Sequence, residues 1–215
     1  MITLEKIREN LFTAVVCDVL DSMGHTHQSP RVPWQPMTEA QVLVGRCKTT
    51  LWEEMDGTDP KPYELELQAV DSLETDDVLI AAAGGSKRSG LWGELLSTAA
   101  SRRGCRGAIV DGAVRDVRQM RAMKFPIWAT GTSPYDSQDR NRVVSVDESI
   151  EIDGVIFSPG DLVIADLDGV VVVPHGIEEG VIRQAWDKVH DENKFRESIA
   201  NGMGAAEAFE RYGIL

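Results

Sequence analysis

Residues 78–130 read VLIAAAGGSKRSGLWGELLSTAASRRGCRGAIVDGAVRDVRQMRAMKFPIWAT. VLIAAA at 78–83 is a short apolar run of the kind that forms a buried strand, and GGSKRSG reads as a glycine-rich loop. LWGELLSTAASRR then carries apolar residues at 91, 92, 95, 96, 99 and 100, the spacing of an amphipathic helix. The order repeats at once, with GAIV at 107–110 as strand, DGAVRD as loop, VRQMRAMK as helix and FPIWAT as the next strand. Two successive βα units predict parallel pairing, and they set the fold class as α/β.

Outward from that stretch the signals are weaker. LEKIRENL predicts a short amphipathic helix, and FTAVVCDVLDSMG a second one, capped by Thr13 and stopped by Gly24. Residues 25–40 read as a loop, AQVLVGRCKTTLW at 40–52 as a strand, EEMDGTDPKP as a polar loop and YELELQAVDSL as a helix. Further on, VVSV, SIEI, GVIF, LVIA and VVVV are separated by Asp153-Gly154, Pro159-Gly160-Asp161 and Asp168-Gly169, which predicts a β-meander. Helical spacing returns over 177–200, and Gly202 and Gly204 set off a last helix, AAEAFERY. One domain over 1–215 is expected.

Composition narrows the function. The chain has 215 residues with 22 Lys and Arg against 35 Asp and Glu, a formal net charge of −13. Nucleic-acid binding rests on clustered cations that neutralise phosphates, so no direct nucleic-acid ligand is expected. The apolar runs are far shorter than the roughly 20 residues of a membrane span, and no membrane association is expected. MITLEKIREN lacks the apolar core and cleavage site of a secretory signal, which points to a cytoplasmic protein. Cys17, Cys47 and Cys105 are odd in number and widely spaced, and read as core thiols. His25 and His27 in GHTH read as solvated loop residues before they read as metal ligands.

Ligands of βα units collect beyond the carboxyl ends of the strands, so GGSKRSG and DGAVRD should share one site. A glycine-rich loop leading into a helix offers backbone N–H groups and partial positive charge to an anion. It matches neither the P-loop nor the GxGxxG arrangement. Arg115 beside Asp116 places a fixed cation next to a carboxylate. Each residue also has a plain structural reading: Asp116 as the N-cap of a capping box with Gln119, Arg115 as a surface cation, Asp111-Gly112 as a turn and Glu94 as a first-turn acid. Together, Glu94 and Asp116 supply hard oxygen ligands near an anion-binding loop and an arginine, which suits hydrated Mg²⁺ with an acidic substrate.

The run from GGSKRSG to IWATG resembles the signature of the family that contains the regulator of ribonuclease activity A and the 4-hydroxy-4-methyl-2-oxoglutarate (4-carboxy-4-hydroxy-2-oxoadipate) aldolases. TAVVCDVLDSMG, SPGDLVIADLDGVVVVP and ENKFRESIANGMGAAEAFERYGIL resemble further parts of it, and residues 25–75 match least. The resemblance implies a layered, swivelling ββα-type domain with a central mixed β-sheet and flanking helices, assembled as a homotrimer or a dimer of trimers. The helices at 177–215 would then contact a neighbouring subunit.

The aldolases' spacing, an acid followed by twenty residues and then Arg-Asp, is filled here by Glu94, Arg115 and Asp116. The resemblance implies that Asp116 holds Mg²⁺ or Mn²⁺, that Glu94 positions metal-bound water, and that Arg115 holds the substrate's 2-oxo oxygen. Gly85, Ser86, Gly90, Leu91 and Trp92 would bind the pyruvyl carboxylate, and a neighbouring subunit would contribute Glu192. The aldolases carry Asp where this chain has Glu94, which bears on substrate scope. The implied activity is metal-dependent cleavage of a 4-hydroxy-2-oxo diacid to pyruvate through its enolate, with oxaloacetate decarboxylation on the side. Lys87 is expected to steer anions, not to act as a nucleophile. Residues 25–75, including Trp34, Trp52 and the EEMDGTDPKP loop, are expected to shape the pocket beyond C4. The family's regulator branch implies the other reading, a non-catalytic protein that binds a ribonuclease or another protein.

Overall fold

The computed structural model describes residues 2–213, so the last two residues of the expected helical segment 177–215 lie outside the described part. In chain order the elements are α1 (Leu4–Asn10), α2 (Thr13–Ser22), β1 (Gln35–Pro36), β2 (Leu43–Glu54), α3 (Glu64–Asp71), β3 (Asp77–Trp92) and α4 (Glu94–Arg102). They continue with β4 (Gly107–Val114), α5 (Val117–Met123), β5 (Ile127–Thr132), β6 (Asn141–Val146), β7 (Ile150–Ile152), β8 (Val155–Phe157), β9 (Leu162–Ala165) and β10 (Val170–Val173). A 3-10 turn at His175–Ile177 leads into α6 (Glu178–Ala200), followed by α7 (Ala205–Tyr212).

As the repeated βα pattern predicts, β3, β4 and β5 pair in parallel, and β2 joins them in parallel on the other side of β3. The sheet order is β1-β5-β4-β3-β2-β9-β10, with β6 also on β2. The C-terminal strands do not form the expected meander. Twelve-residue β2 is long enough to divide its free edge: Leu43–Arg46 pair with β9, and Thr50–Glu54 pair with β6. β7 and β8 form a separate hairpin.

The curled mixed sheet is covered differently on its two faces. Leu79, Ala81, Ala108, Val110 and Ile127 point to the side where α3, α4 and α5 pack. On the same face, at the β9–β10 end, Val44, Leu162, Ile164, Val171 and Val173 meet α1, α2 and α6. Alternate residues, including Val78, Ile80, Ala82, Ile109 and Trp128, enclose a second core with the β7–β8 hairpin.

Two local expectations are corrected. Thr13 does not cap α2 from the N-cap position. It is the helix's first residue, and its N–H and hydroxyl each donate at 2.7 Å to the carboxylate of Asp166, 153 residues away. GGSKRSG is not a free loop either. It continues β3, with register shifts after Ala82, Ser86 and Gly90, so that seven residues from Ser86 to Trp92 face only Gly112–Val114. Likewise DGAV belongs to buried β4, and only Arg115 and Asp116 form the connection to α5.

Candidate active site

β3 and β4 end side by side, with Trp92 paired to Val114, and the next residues are Gly93-Glu94 on one chain segment and Arg115-Asp116 on the other. The Arg115 N–H donates to the Trp92 carbonyl at 2.8 Å, which locks the two ends together. This close approach requires glycine at two positions. A Cβ on Gly90 would lie 2.7 Å from Arg115 Cβ, and one on Gly93 would lie 2.6 Å from Asp116 Oδ2.

Asp116 is not the capping-box residue that its spacing to Gln119 suggests. Its backbone is left-handed, with φ +56°, and its side chain makes no cap bond to α5. Instead its Oδ2 accepts from the Glu94 N–H of α4 at 3.3 Å and lies 3.7 Å from Arg115 Nε. The first-turn N–H groups of an α-helix have no intrahelical acceptor and carry partial positive charge. Asp116 takes up the one on Glu94, which leaves those of Leu95 and Leu96, two residues that wall the adjoining cavity.

That cavity has a volume of about 310 Å³ and an open mouth edged by the exposed side chains of Leu67 and Leu95. One wall is Gly90, Leu91, Gly93, Arg115 and Asp116. The start of α3 and the segment after β5 add Tyr63, Glu66, Asp136 and Ser137 to the lining. Arg115 Nη1 donates to Asp136 Oδ2 at 2.5 Å, and the Tyr63 hydroxyl donates to Asp136 Oδ1 at 2.6 Å. Burial pushes the Asp136 carboxyl up, but the bonds from Tyr63, the Gln138 N–H and Arg115 outweigh it and hold it below the ordinary value. Arg115 is thereby aimed by a carboxylate that stays ionised. Tyr63, like Asp116, is left-handed, with φ +65°. Backbone strain in two residues that line one cavity is typical of a site with a job beyond packing.

Glu66 is 8% exposed, and its carboxyl is pushed up to about 8, chiefly by burial and then by Asp136, with Arg115 and a hydrogen bond from Ser137 opposing. The native chain therefore holds a proton that the unfolded chain releases above pH 4.5. The stability this contributes is complete below that pH and is lost as pH rises toward 8. Replacing Glu66 by Gln is expected to abolish this loss, so that the wild-type-minus-variant difference changes by roughly 3 kcal/mol between pH 5 and pH 8. Urea unfolding of metal-free protein at the two pH values measures it, and parallel profiles for the two proteins would contradict the buried acid.

The residues expected from the sequence divide into those at the cavity and those elsewhere. Arg115, Asp116, Gly90 and Leu91 come together on its wall. Glu94 starts α4 beside it, with Oε1 accepting from Thr98 Oγ1 at 2.9 Å. Ser86 instead anchors the bulged part of β3. Its hydroxyl donates to Glu54 Oε1 at 2.7 Å and accepts from Asn141 Nδ2, while Gly85 sits in the same bulge at φ +75°. Trp92 is buried, with Nε1 donating to Ser97 Oγ, so it packs the base of α4. Of residues 25–75, Tyr63, Glu66 and Leu67 line the cavity, whereas Trp34 and Trp52 are core residues, bonded to the Val110 carbonyl and Thr50 Oγ1. Glu192 lies on α6 beside a notch with Phe195 and Ile199. Lys87 extends across Gly131. Cys47 and Cys105 are buried and Cys17 half-buried, all three with thiols pushed up by burial.

Among the described residues, no group of three or more His, Cys, Asp and Glu side chains is placed to cage an ion. The cavity offers the hard carboxylate oxygens of Asp116, while Glu94 meets Asp116 through its backbone N–H and its carboxylate accepts from Thr98. That set fits a cation that keeps most of its water and takes one or two protein carboxylates, the habit of Mg²⁺.

The family model described as "RraA-like: Aldolase/RraA" matches residues 13–172, which include both strand ends and the whole cavity wall. The chain belongs to the RraA-like family. A relative from Halalkalibacterium halodurans, named "Putative 4-hydroxy-4-methyl-2-oxoglutarate aldolase", is 30% identical over 197 residues, covering 92% of this chain and 89% of the relative. Protein DlpA of Legionella pneumophila is 28% identical, but this RraA-like chain spans only 32% of its length. The fold superposes with a TM-score of 0.79 on Streptomyces coelicolor RraAS2, described as an unusual member of the RNase ES inhibitor RraA protein family. That structure is 27% identical, with 90% of this chain and 94% of the other covered. No helix among the described residues of this RraA-like protein is long and apolar enough to cross a membrane.

Proposed function

We propose that this protein is a divalent-metal-dependent carbon–carbon lyase that releases pyruvate from a 4-hydroxy-2-oxo diacid, with oxaloacetate decarboxylation as a second activity through the same enolate. The observation that carries the reading is the convergence on one 310 Å³ cavity of a clamped arginine, the first turn of α4 and the Asp116 carboxylate. These are the counterparts of a 2-oxo acid: amides for its carboxylate, a fixed cation for its 2-oxo oxygen, and a carboxylate for a cation shared with the substrate. The name of the H. halodurans relative supports the same chemistry.

Mg²⁺ or Mn²⁺, held by Asp116 and through water by Glu94, would supply Lewis acidity at the 2-oxo oxygen. Arg115 donates to that oxygen, and its bond strengthens as negative charge builds there on cleavage of the C3–C4 bond, which is the differential binding that lowers a barrier. Asp136 keeps the guanidinium in place, so little reorganisation is needed as the charge develops. The closing of Gly90 and Gly93 against Arg115 fixes the distance between the carboxylate site and the oxygen site.

The reading includes assembly as a homotrimer or a dimer of trimers, in which the C-terminal helices meet a neighbouring subunit and bring its Glu192 toward the cavity. Ile199 on α6 and Phe209 on α7, large apolar side chains left exposed, support it. The test is pyruvate release from 4-hydroxy-4-methyl-2-oxoglutarate and from oxaloacetate, with Mg²⁺ and with EDTA. Release above the protein-free background with Mg²⁺, and its loss with EDTA, is the expected result. Background rates for both substrates would instead favour the regulator reading, which the RraAS2 likeness and the net charge of −13 support as a surface for a basic protein partner.

A further inference from the structure

We infer that Glu66 is the acid that protonates C3 of the pyruvate enolate, a role distinct from the work of Arg115, Asp116 and Glu94. The inference rests on the lyase reading above and adds to it the fate of the carbanion.

The geometry is one of remaining directions. C2 of a 2-oxo acid carries a carboxylate, an oxygen and C3. The first two are taken by the α4 first turn and by Arg115 beside Asp116, all on the β3–β4 wall of the cavity. C3 must then point to the rest of the lining, where α3 and the segment after β5 contribute Tyr63, Glu66, Asp136 and Ser137. Of these, Asp136 is committed to Arg115 and Tyr63, and the Tyr63 hydroxyl gives its proton to Asp136. Glu66 is the group among them with a proton to give at neutral pH.

The charges around Glu66 keep it in that form. Burial and the neighbouring Asp136 carboxylate favour the neutral acid, while Arg115 and Ser137 oppose them. Glu66 also lines a second open cleft, of about 330 Å³, carrying Lys61, Glu64, Asp139 and Arg142, of which Lys61 is paired with Glu64. That cleft provides a route by which water can return a proton. The step balances: the C3 electron pair takes the Glu66 proton, the enolate becomes the methyl group of pyruvate, and the Glu66 carboxylate is reprotonated from solvent. By microscopic reversibility the carboxylate form removes a methyl proton from bound pyruvate.

Two measurements test this. The first is exchange of the pyruvate methyl protons in D₂O with Mg²⁺, followed by proton NMR alongside a single turnover of oxaloacetate decarboxylation with protein in excess. Glu66→Gln is expected to slow exchange at least thirtyfold while oxaloacetate decarboxylation in a single turnover, with protein in excess over substrate, falls less than threefold, because C–C cleavage precedes the proton transfer. Exchange within threefold of wild type overturns the assignment. Equal loss of exchange and of single-turnover decarboxylation also overturns it, since Glu66 would then serve binding or folding. A wild-type protein that neither exchanges pyruvate nor consumes oxaloacetate removes the lyase reading and this inference with it, an outcome distinct from exchange that persists in the variant.

The second measurement needs neither turnover nor the variant: a ¹³C carboxyl titration of metal-free wild type, with Glu66 assigned through its own side-chain and backbone correlations. A carboxyl still protonated at pH 7 is expected. One that has ionised by pH 6 leaves no acid at the cavity and overturns the proposal, even if the variant fails to fold.

Discussion

Asp116→Asn is expected to lower Mg²⁺-dependent pyruvate release by about a hundredfold to a thousandfold while leaving the fold intact. The magnitude follows from removing a charged group placed at the developing charge of the reaction. The intactness follows from the backbone. Asn occupies the left-handed region at least as readily as Asp, so φ +56° brings no new strain. The amide oxygen can still accept from the Glu94 N–H, which keeps the start of α4 tied to the end of β4. What is lost is the negative charge that a divalent cation requires. Asp116→Ala, by contrast, should also cost about 1 kcal/mol of stability, because alanine resists that conformation. Thermal melting alongside the pyruvate assay checks both. An Asn variant with wild-type, EDTA-sensitive activity would remove Asp116 from the metal site, whereas partner binding that survives both the substitution and EDTA belongs to the regulator reading.

Gly93→Ala is expected to reduce activity by roughly tenfold to a hundredfold with a stability loss of only about 1 kcal/mol. Its φ of −151° is open to any residue, so the backbone tolerates the change. The new Cβ, however, would lie 2.6 Å from Asp116 Oδ2 and 3.1 Å from Arg115 Cγ, and the side chains that must give way are the two that define the site. Gly90→Ala is the contrasting case. Its Cβ meets the Ser133 carbonyl at 2.8 Å and Arg115 Cβ at 2.7 Å, atoms that cannot swing aside, so about 1–3 kcal/mol of stability should go with the activity. The Mg²⁺ concentration for half-maximal activity, together with urea unfolding, separates the two. Wild-type values for Gly93→Ala in both assays would show that the contact between strand ends does not set the site.

Local sequence determined the parts of this protein that depend on neighbours along the chain. The apolar runs at 78–83 and 107–110, each followed by a helical period, determined parallel strands with crossover helices, and their carboxyl ends determined where Arg115 and Asp116 meet. Tertiary structure decided what depends on partners far away in sequence. The division of β2 between β9 and β6 depends on which strand reaches a free edge, and turn residues at 153–154 and 160–161 do not encode that. The conversion of GGSKRSG from loop to bulged strand depends on buried β4 lying alongside. Asp116 has the spacing of a helix cap, and only the arrival of α4 beside it, 22 residues earlier in the chain, turns its carboxylate to the Glu94 N–H instead. Tyr63, Glu66 and Asp136 carry no motif. Glu66 looks like one more surface acid in YELELQAVD until α3 folds it against Arg115 and Ser137, where burial, a property of the assembled fold alone, makes it a neutral acid.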